Sequence, residues 1–222
     1  MDGILIINKP KGWTSFDVVA KIRGKLKPNR IGHTGTLDPA ATGVLVLCLG
    51  RATKLAQKML IMDKEYVAEI TLGAISNTDD ADGQVVHNPQ AGVKSRLEVE
   101  RALKQFQGVI QQMPPQFSAK KVKGRRAYDM AREGKPVELK PVEVTIREIE
   151  ILDYKWPILK IRVLCSKGTY LRSLARDLGQ ALGVGGYLTA LERTKVGQYT
   201  LDKAVTVEEA DVKHIIPVSI YR

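Results

Sequence analysis

The sequence predicts a mixed α/β (α+β) fold with a largely antiparallel sheet. Two observations carry this. Strand-length apolar runs alternate irregularly with helical segments, and two alternating runs, Val142–Ile151 and Leu159–Cys165, stand close enough to pair as a hairpin. The 222 residues suffice for a sizeable core. No internal repeat, low-complexity tract or interdomain linker interrupts them. Residues 1–222 therefore read as one domain, with a basic insertion at about 117–135.

The elements follow in order. Ile4–Ile7 reads as a short buried strand. Thr14 is a suitable N-cap for a helix from near Ser15, with Asp17 three residues on, and Pro28 stops it. A glycine-rich loop, Gly32 to Gly43, leads into a strand at Val44–Leu49 and a helix at Thr53–Leu60. Tyr66–Leu72 alternates as a strand, and Asn77–Gly83 is a loop. Ser95 and Glu98 form a capping box that opens a helix to about Phe106, and Gly108 ends it. Val142, Val144 and Ile146 alternate, then Ile149 and Ile151 continue one residue out of phase, which predicts a bulge. A helix follows Gly168, striped by Leu171, Leu174, Ala175, Leu178 and Leu182 and ended by Gly183. Thr206 and Glu209 cap a last short helix.

Composition narrows the function. Lys plus Arg number 35 against 24 acids, a net charge of +11. A field of that sign attracts polyanions: nucleic acid, an anionic membrane or ribosome-type neighbours. Aromatics are only 5%, which argues against a broad base-stacking platform. No apolar run reaches the roughly 18 residues of a membrane span. The N-terminus lacks the basic start and apolar length of a signal peptide, so the chain is expected in the cytoplasm. Cys48 and Cys165 each lie in an apolar, strand-like run and read as buried thiols. His33, His87 and His214 are scattered, and no Cys or His spacing suits a metal.

Three places can carry chemistry. In Arg30–Gly43, Gly32, Gly35 and Gly43 allow tight turns, and Pro39 pushes Asp38 toward an extended backbone. Asp38 is then a reactive carboxylate on a constrained loop, or the cap of an Asp-Pro turn. Arg172 falls in the first turn of a helix, where a cation opposes the macrodipole. It pairs with a buried carboxylate, or it snorkels to water. Tyr66 opens a strand after a charged turn and reads locally as a half-buried strand residue. The segment Phe117–Lys135 holds Lys120, Lys121, Lys123, Arg125, Arg126, Arg132 and Lys135 against Asp129 and Glu133. It is a solvated face, or an arm for a phosphate backbone.

Together these residues resemble the TruB family of pseudouridine synthases, which act on uridine 55 of bacterial tRNA. NKPKGWTS (Asn8–Ser15) is similar to the family's opening motif, and RIGHTGTLDPAATGVL (Arg30–Leu45) to its catalytic motif. DKEYVAEITLG (Asp63–Gly73) resembles the tyrosine motif, and CSKGTYLRSLARDLG (Cys165–Gly179) the arginine motif. Shorter stretches at Asp80–Val86 and Leu191–Gly197 agree, and coverage runs over about residues 3–200.

The resemblance implies the pseudouridine synthase fold, no cofactor and no metal. Asp38 matches the catalytic aspartate, Arg172 the arginine that pairs with it, and Tyr66 the catalytic tyrosine that stacks on the target base and can take a proton from the sugar. His33 matches the histidine that enters the T loop where the base leaves. Tyr170 and Leu191 match residues lining the base pocket. Lys9 and Pro10 match a motif that supports the active-site loop, to which Gly32 and Gly35 also belong. Lys120, Lys121, Lys123, Arg125 and Arg126 fall in the region of the family's thumb-like insertion. The partner implied is the T arm of tRNA, bound by a monomer without an obligate protein partner. The small C-terminal RNA-binding domain usual in bacterial members is expected to be absent, since the chain stops at Arg222. A guide-RNA-dependent synthase subunit and a tRNA-folding chaperone are the rival readings.

Overall fold

The computed structural model describes residues 1–117, 121, 122, 125, 126 and 139–218. The fold is mixed α/β with a mostly antiparallel sheet, in which β3 (Thr42–Leu49) and β12 (Gly186–Val196) pair in parallel. Two compact units divide the chain: Met1–Val67 with Leu191–Arg222, and Ala68–Ala190.

In the first unit, β1 (Gly3–Lys9) runs antiparallel to β3 (Thr42–Leu49), with Ile7 opposite Leu45. The period of two then splits the apolar residues between two cores. Leu5, Ile7, Leu45, Leu47 and Leu49 pack with Val18, Val19 and Ile22 of α1 (Ser15–Leu26). Ile4, Ile6, Val44, Val46 and Cys48 pack with Met59, Val196 and Tyr199. Helix α1 begins at the expected Thr14–Asp17 capping box and ends at Lys27, in the left-handed region at φ 50° and one residue before Pro28. Two short strands were not legible from the pattern: β2 (Ile31–His33), which pairs with β3, and the end of β12 (Gly186–Val196), whose Arg193 lies beside Gly43. The outer edge of β1 is covered by Ile216, whose backbone exchanges bonds of 2.9 and 2.8 Å with Ile4.

Two expected helices differ. The stretch expected as a helix at Thr53–Leu60 is a 3₁₀ turn, Gly50–Leu55, followed by α2 (Ala56–Leu60). At Thr206 the cap forms, since the hydroxyl donates to Glu209 Oε2 at 2.9 Å and accepts from its N–H at 3.2 Å. Only one turn follows, because Asp211 caps a separate 3₁₀ turn at Val212–His214. A segment this short cannot repay helix nucleation.

In the second unit the strand order is β4 (Lys64–Leu72)–β11 (Ile158–Cys165)–β10 (Val142–Lys155)–β7 (Gly108–Gln112). The expected hairpin is β10 with β11, and the register shifts between Ile146 and Glu148 and between Ile151 and Asp153. The first shift is the phase slip in the sequence. A small hairpin, β5 (Ala74–Ser76) with β6 (Val85–His87), frames the Asn77–Gly83 loop. Helix α3 (Arg96–Lys104) opens at the Ser95–Glu98 box. Helix α4 (Leu171–Ala181) buries Leu171, Leu174, Ala175 and Leu178 as its stripe foretold. Backbone alone is described for the two-residue strands β8 (Lys121–Val122) and β9 (Arg125–Arg126).

Gly179 makes α4 fit. A Cβ there would lie 2.1 Å from Gly186 N and 2.2 Å from Gly185 C. Helix propensity favours Ala by about 1 kcal/mol, but backbone has nowhere to go. Gly179→Ala is therefore expected to destabilise the protein by at least about 2 kcal/mol, read from urea unfolding.

Candidate active site

Asp38 lies exposed on the loop between β2 and β3. The loop beneath it is fixed by two buried cations. Lys9, fully buried at the end of β1, donates to the carbonyls of Trp13, Pro10 and Pro39 at 2.6, 2.9 and 3.2 Å. These three acceptors match the three N–H bonds of an ammonium. Arg193, 2% exposed, donates from Nε to Val44 O at 2.8 Å. Its Nη2 and Nη1 reach Gly35 O at 3.2 Å and Thr36 O at 3.4 Å. Ser15 holds the loop from α1, its Oγ accepting from Leu37 N at 2.8 Å and donating to Leu37 O at 3.2 Å. Gly12 N–H donates to Pro39 O at 2.8 Å. The residues on both sides of Asp38 are thus pinned while its carboxylate stays accessible.

Burial pushes the Lys9 ammonium down to about 8, Asp38's charge opposes the fall, and Arg193 adds to it. Gly43 permits the close approach of β12: φ is +99°, and a Cβ would lie 2.3 Å from Arg193 O. Gly35, at φ +141°, likewise needs freedom that side chains lack. Gly32 is different, as a Cβ there would meet nothing within 4 Å. His33 ends β2, and its Nδ1 accepts from Gly35 N at 3.3 Å. Burial, then the charge of Arg193, lowers its pKa, so the imidazole is neutral at pH 7. Tyr66 on β4 and Leu191 on β12 are half-buried.

In the second unit, Arg172 is 7% exposed in the first turn of α4, so it does not snorkel. Its Nη1 lies 3.3 Å from Asp80 Oδ2, and Nη2 donates to Phe117 O at 3.0 Å. Asp80 is oriented in turn: its Oδ1 accepts from Thr78 Oγ1 at 2.5 Å and from Asp82 N at 3.1 Å. This pairing with a shielded carboxylate offsets the unfavourable helix-terminal position. Tyr170, half-buried just before α4, is clamped by Gln112. The fully buried Gln112 amide donates to Tyr170 O at 3.1 Å and accepts from Tyr170 N at 2.8 Å.

Sequence reasoning passed over Arg193, Asp80 and Gln112 as site residues. A buried position for an Arg inside a long strand and a Gln ending one is invisible to hydrophobic periodicity. The motif stretches around Asp80 and Arg193 were the available signal. Lys120 and Lys123 lie outside the described residues, and the side chains of Lys121, Arg125 and Arg126 do too.

Residues 23–171 match the family model described as TruB family pseudouridylate synthase, N-terminal domain. The chain belongs to the TruB family of pseudouridylate synthases. It is accordingly an isomerase, as the four motifs implied. Residues 172–215 match a second model, the tRNA pseudouridylate synthase B C-terminal domain. A tRNA pseudouridine synthase B of Parabacteroides distasonis is 49% identical over 94% of this chain and 91% of its own length. One from Thermobifida fusca is 48% identical over 94% of this chain and 74% of its own. Among solved structures, a Cbf5-Nop10-Gar1 complex matches with TM-score 0.73 at 31% identity. That match covers 93% of this chain and about half, 53%, of the other. No described helix is long and apolar enough to cross a membrane.

Lys9 should therefore carry loop rigidity in this TruB-family chain. Lys9→Met strands three carbonyls and is expected to cost at least about 2 kcal/mol in urea unfolding. A pH signature goes with it. The folded protein loses this proton near 8 and the unfolded chain near 10.5, so the unfolded state binds more protons in between. The group's contribution to stability accordingly rises as pH climbs through that window. Unfolding measured below and above it should show the increment in the wild type, and Lys9→Met should lack it.

Proposed function

We propose that the chain isomerises uridine 55 in the T loop of tRNA to pseudouridine, with Asp38 as the catalytic carboxylate. The observation that carries this is the locked loop: in a TruB-family chain, an exposed aspartate stands on backbone held by Lys9, Arg193 and Ser15. The reaction breaks the ribose C1′–N1 bond, turns the base and joins C5 to C1′. N1 gains a proton and C5 loses one, so the balance closes without oxidant, reductant or leaving group. Asp38 serves by attack at C1′ or by taking the 2′ proton.

The resemblance gives Arg172 the part of partner to the catalytic carboxylate, and its planar fork is held by Asp80 and Phe117 O. The target base leaves its stack at a cost of a few kcal/mol. Stacking on Tyr66, worth about 1–3 kcal/mol, offsets this. The resemblance gives Leu191 and Tyr170 contacts with the flipped base, and gives the neutral His33 the space the base vacates. The basic residues at 117–135, most of which lie outside the described residues, supply charge to the phosphate backbone. The enzyme works as a monomer in the cytoplasm.

Tritium release from tRNA carrying 5-³H-uridine tests the assignment. Asp38→Asn should keep tRNA binding and lose turnover by roughly 10⁴–10⁶-fold, as loss of a nucleophile does. Turnover near wild type would remove Asp38 from the mechanism. Arg172→Lys keeps the charge and loses the fork, and kcat should fall roughly 10- to 150-fold, the weight of one charge-assisted hydrogen bond. Mapping the product on the tRNA decides the position.

A further inference from the structure

Helix α1 carries charge that the reaction does not use. Between Lys11 and Arg30 stand six cations, Lys11, Lys21, Arg23, Lys25, Lys27 and Arg30, all exposed, against one acid, Asp17. Asp17 is taken up by the helix cap, its Oδ2 accepting from Thr14 N at 2.8 Å and Thr14 Oγ1 at 2.7 Å. In the same stretch Phe16 is 67% exposed. Phe16, Ala20 and Arg23 recur at helical spacing and so share one face, and Lys27 follows just past the end of the helix. Val18, Val19 and Ile22 turn the other face into the core. Beside Lys21 and Lys25, by contrast, a cleft is also lined by Asp17 and Glu208, and charge there balances.

A bare ring among cations suits a nucleic acid. The ring packs on a base or sugar, and the cations take phosphates. The face also continues from the candidate active site. Ser15, next to Phe16, is bonded to Leu37, and Gly12 is bonded to Pro39, so both neighbours of Asp38 are tied to the start of this helix.

We propose that the Phe16–Arg23 face of α1, with Lys27 just past its C-terminal end, is a second RNA-contact surface, which takes the strand adjoining the target loop. The proposal rests on Asp38 marking where the RNA is modified. Phe16 supplies contact area, and Arg23 and Lys27 supply counterion release. None of them touches the reacting atoms, so they set affinity and leave turnover on bound RNA alone.

Fluorescence anisotropy with labelled tRNA, run across a salt series, tests it. Phe16→Ala should raise Kd roughly fivefold or more, the low end for loss of a stacked aromatic, and Phe16→Trp should restore it. Arg23→Ala/Lys27→Ala should flatten the slope of log K against log salt by about 1–2. Tritium release at saturating tRNA should match the wild type for all three. The proposal is overturned if affinity and slope move no more than for Lys104→Ala/Lys160→Ala, an equal charge loss at exposed sites elsewhere. It is overturned too if tRNA affinity holds while Phe16→Ala abolishes binding to phosphatidylserine vesicles, which makes the face a membrane surface. A fully active Asp38→Asn would sink the earlier assignment, while Kd and slope alone judge α1.

Discussion

The first unit depends on main-chain carbonyls solvating buried cations. Lys9 and Arg193 are large, charged and almost wholly removed from water, and taking each out of water costs several kcal/mol. What compensates is backbone oxygen: Pro10, Trp13 and Pro39 around one, Gly35, Thr36 and Val44 around the other. Three of those oxygens, on Gly35, Thr36 and Pro39, belong to the loop that carries Asp38. The loop therefore cannot move without stranding a charge, and this steep penalty gives a glycine-rich segment the stiffness that positioned chemistry requires. It also explains the glycines. Gly43 is where β12 must come close enough for Arg193 to reach under the loop.

The second unit uses the same device with a different balance. Arg172 sits where the helix dipole is against it, and Asp80 with the Phe117 carbonyl overrides that local preference. Gln112 adds a two-point clamp on the Tyr170 backbone, so the entry to α4 is set by a side chain 58 positions away. A helix start with no side-chain cap of its own is thereby fixed from β7.

Overall charge takes on meaning through these placements. A net of +11 attracts RNA without directing it. The buried Lys9 and Arg193 donate to main-chain carbonyls, whereas the cations of α1 are exposed. Counting lysines and arginines in the sequence merges the two sets, although one builds the loop and the other is available to phosphates.

The sequence by itself determined the fold class, the capping boxes at Thr14 and Ser95, the apolar stripe of α4 and the bulge in β10, because each depends on spacing along a few neighbouring residues. Four motif stretches in order were enough to indicate the family. Tertiary structure alone decided the rest. The Thr206 cap looked like a helix start, and it closes a single turn because the chain behind it has no helical stripe to bury. β12 shows no clean alternation, and it became a strand by pairing with β3 at Thr42 and Gly43. Arg193 and Gln112 look like ordinary polar residues until burial is known. Their roles come from hydrogen-bond partners more than 50 positions away, and a local pattern holds no information about contacts at that separation.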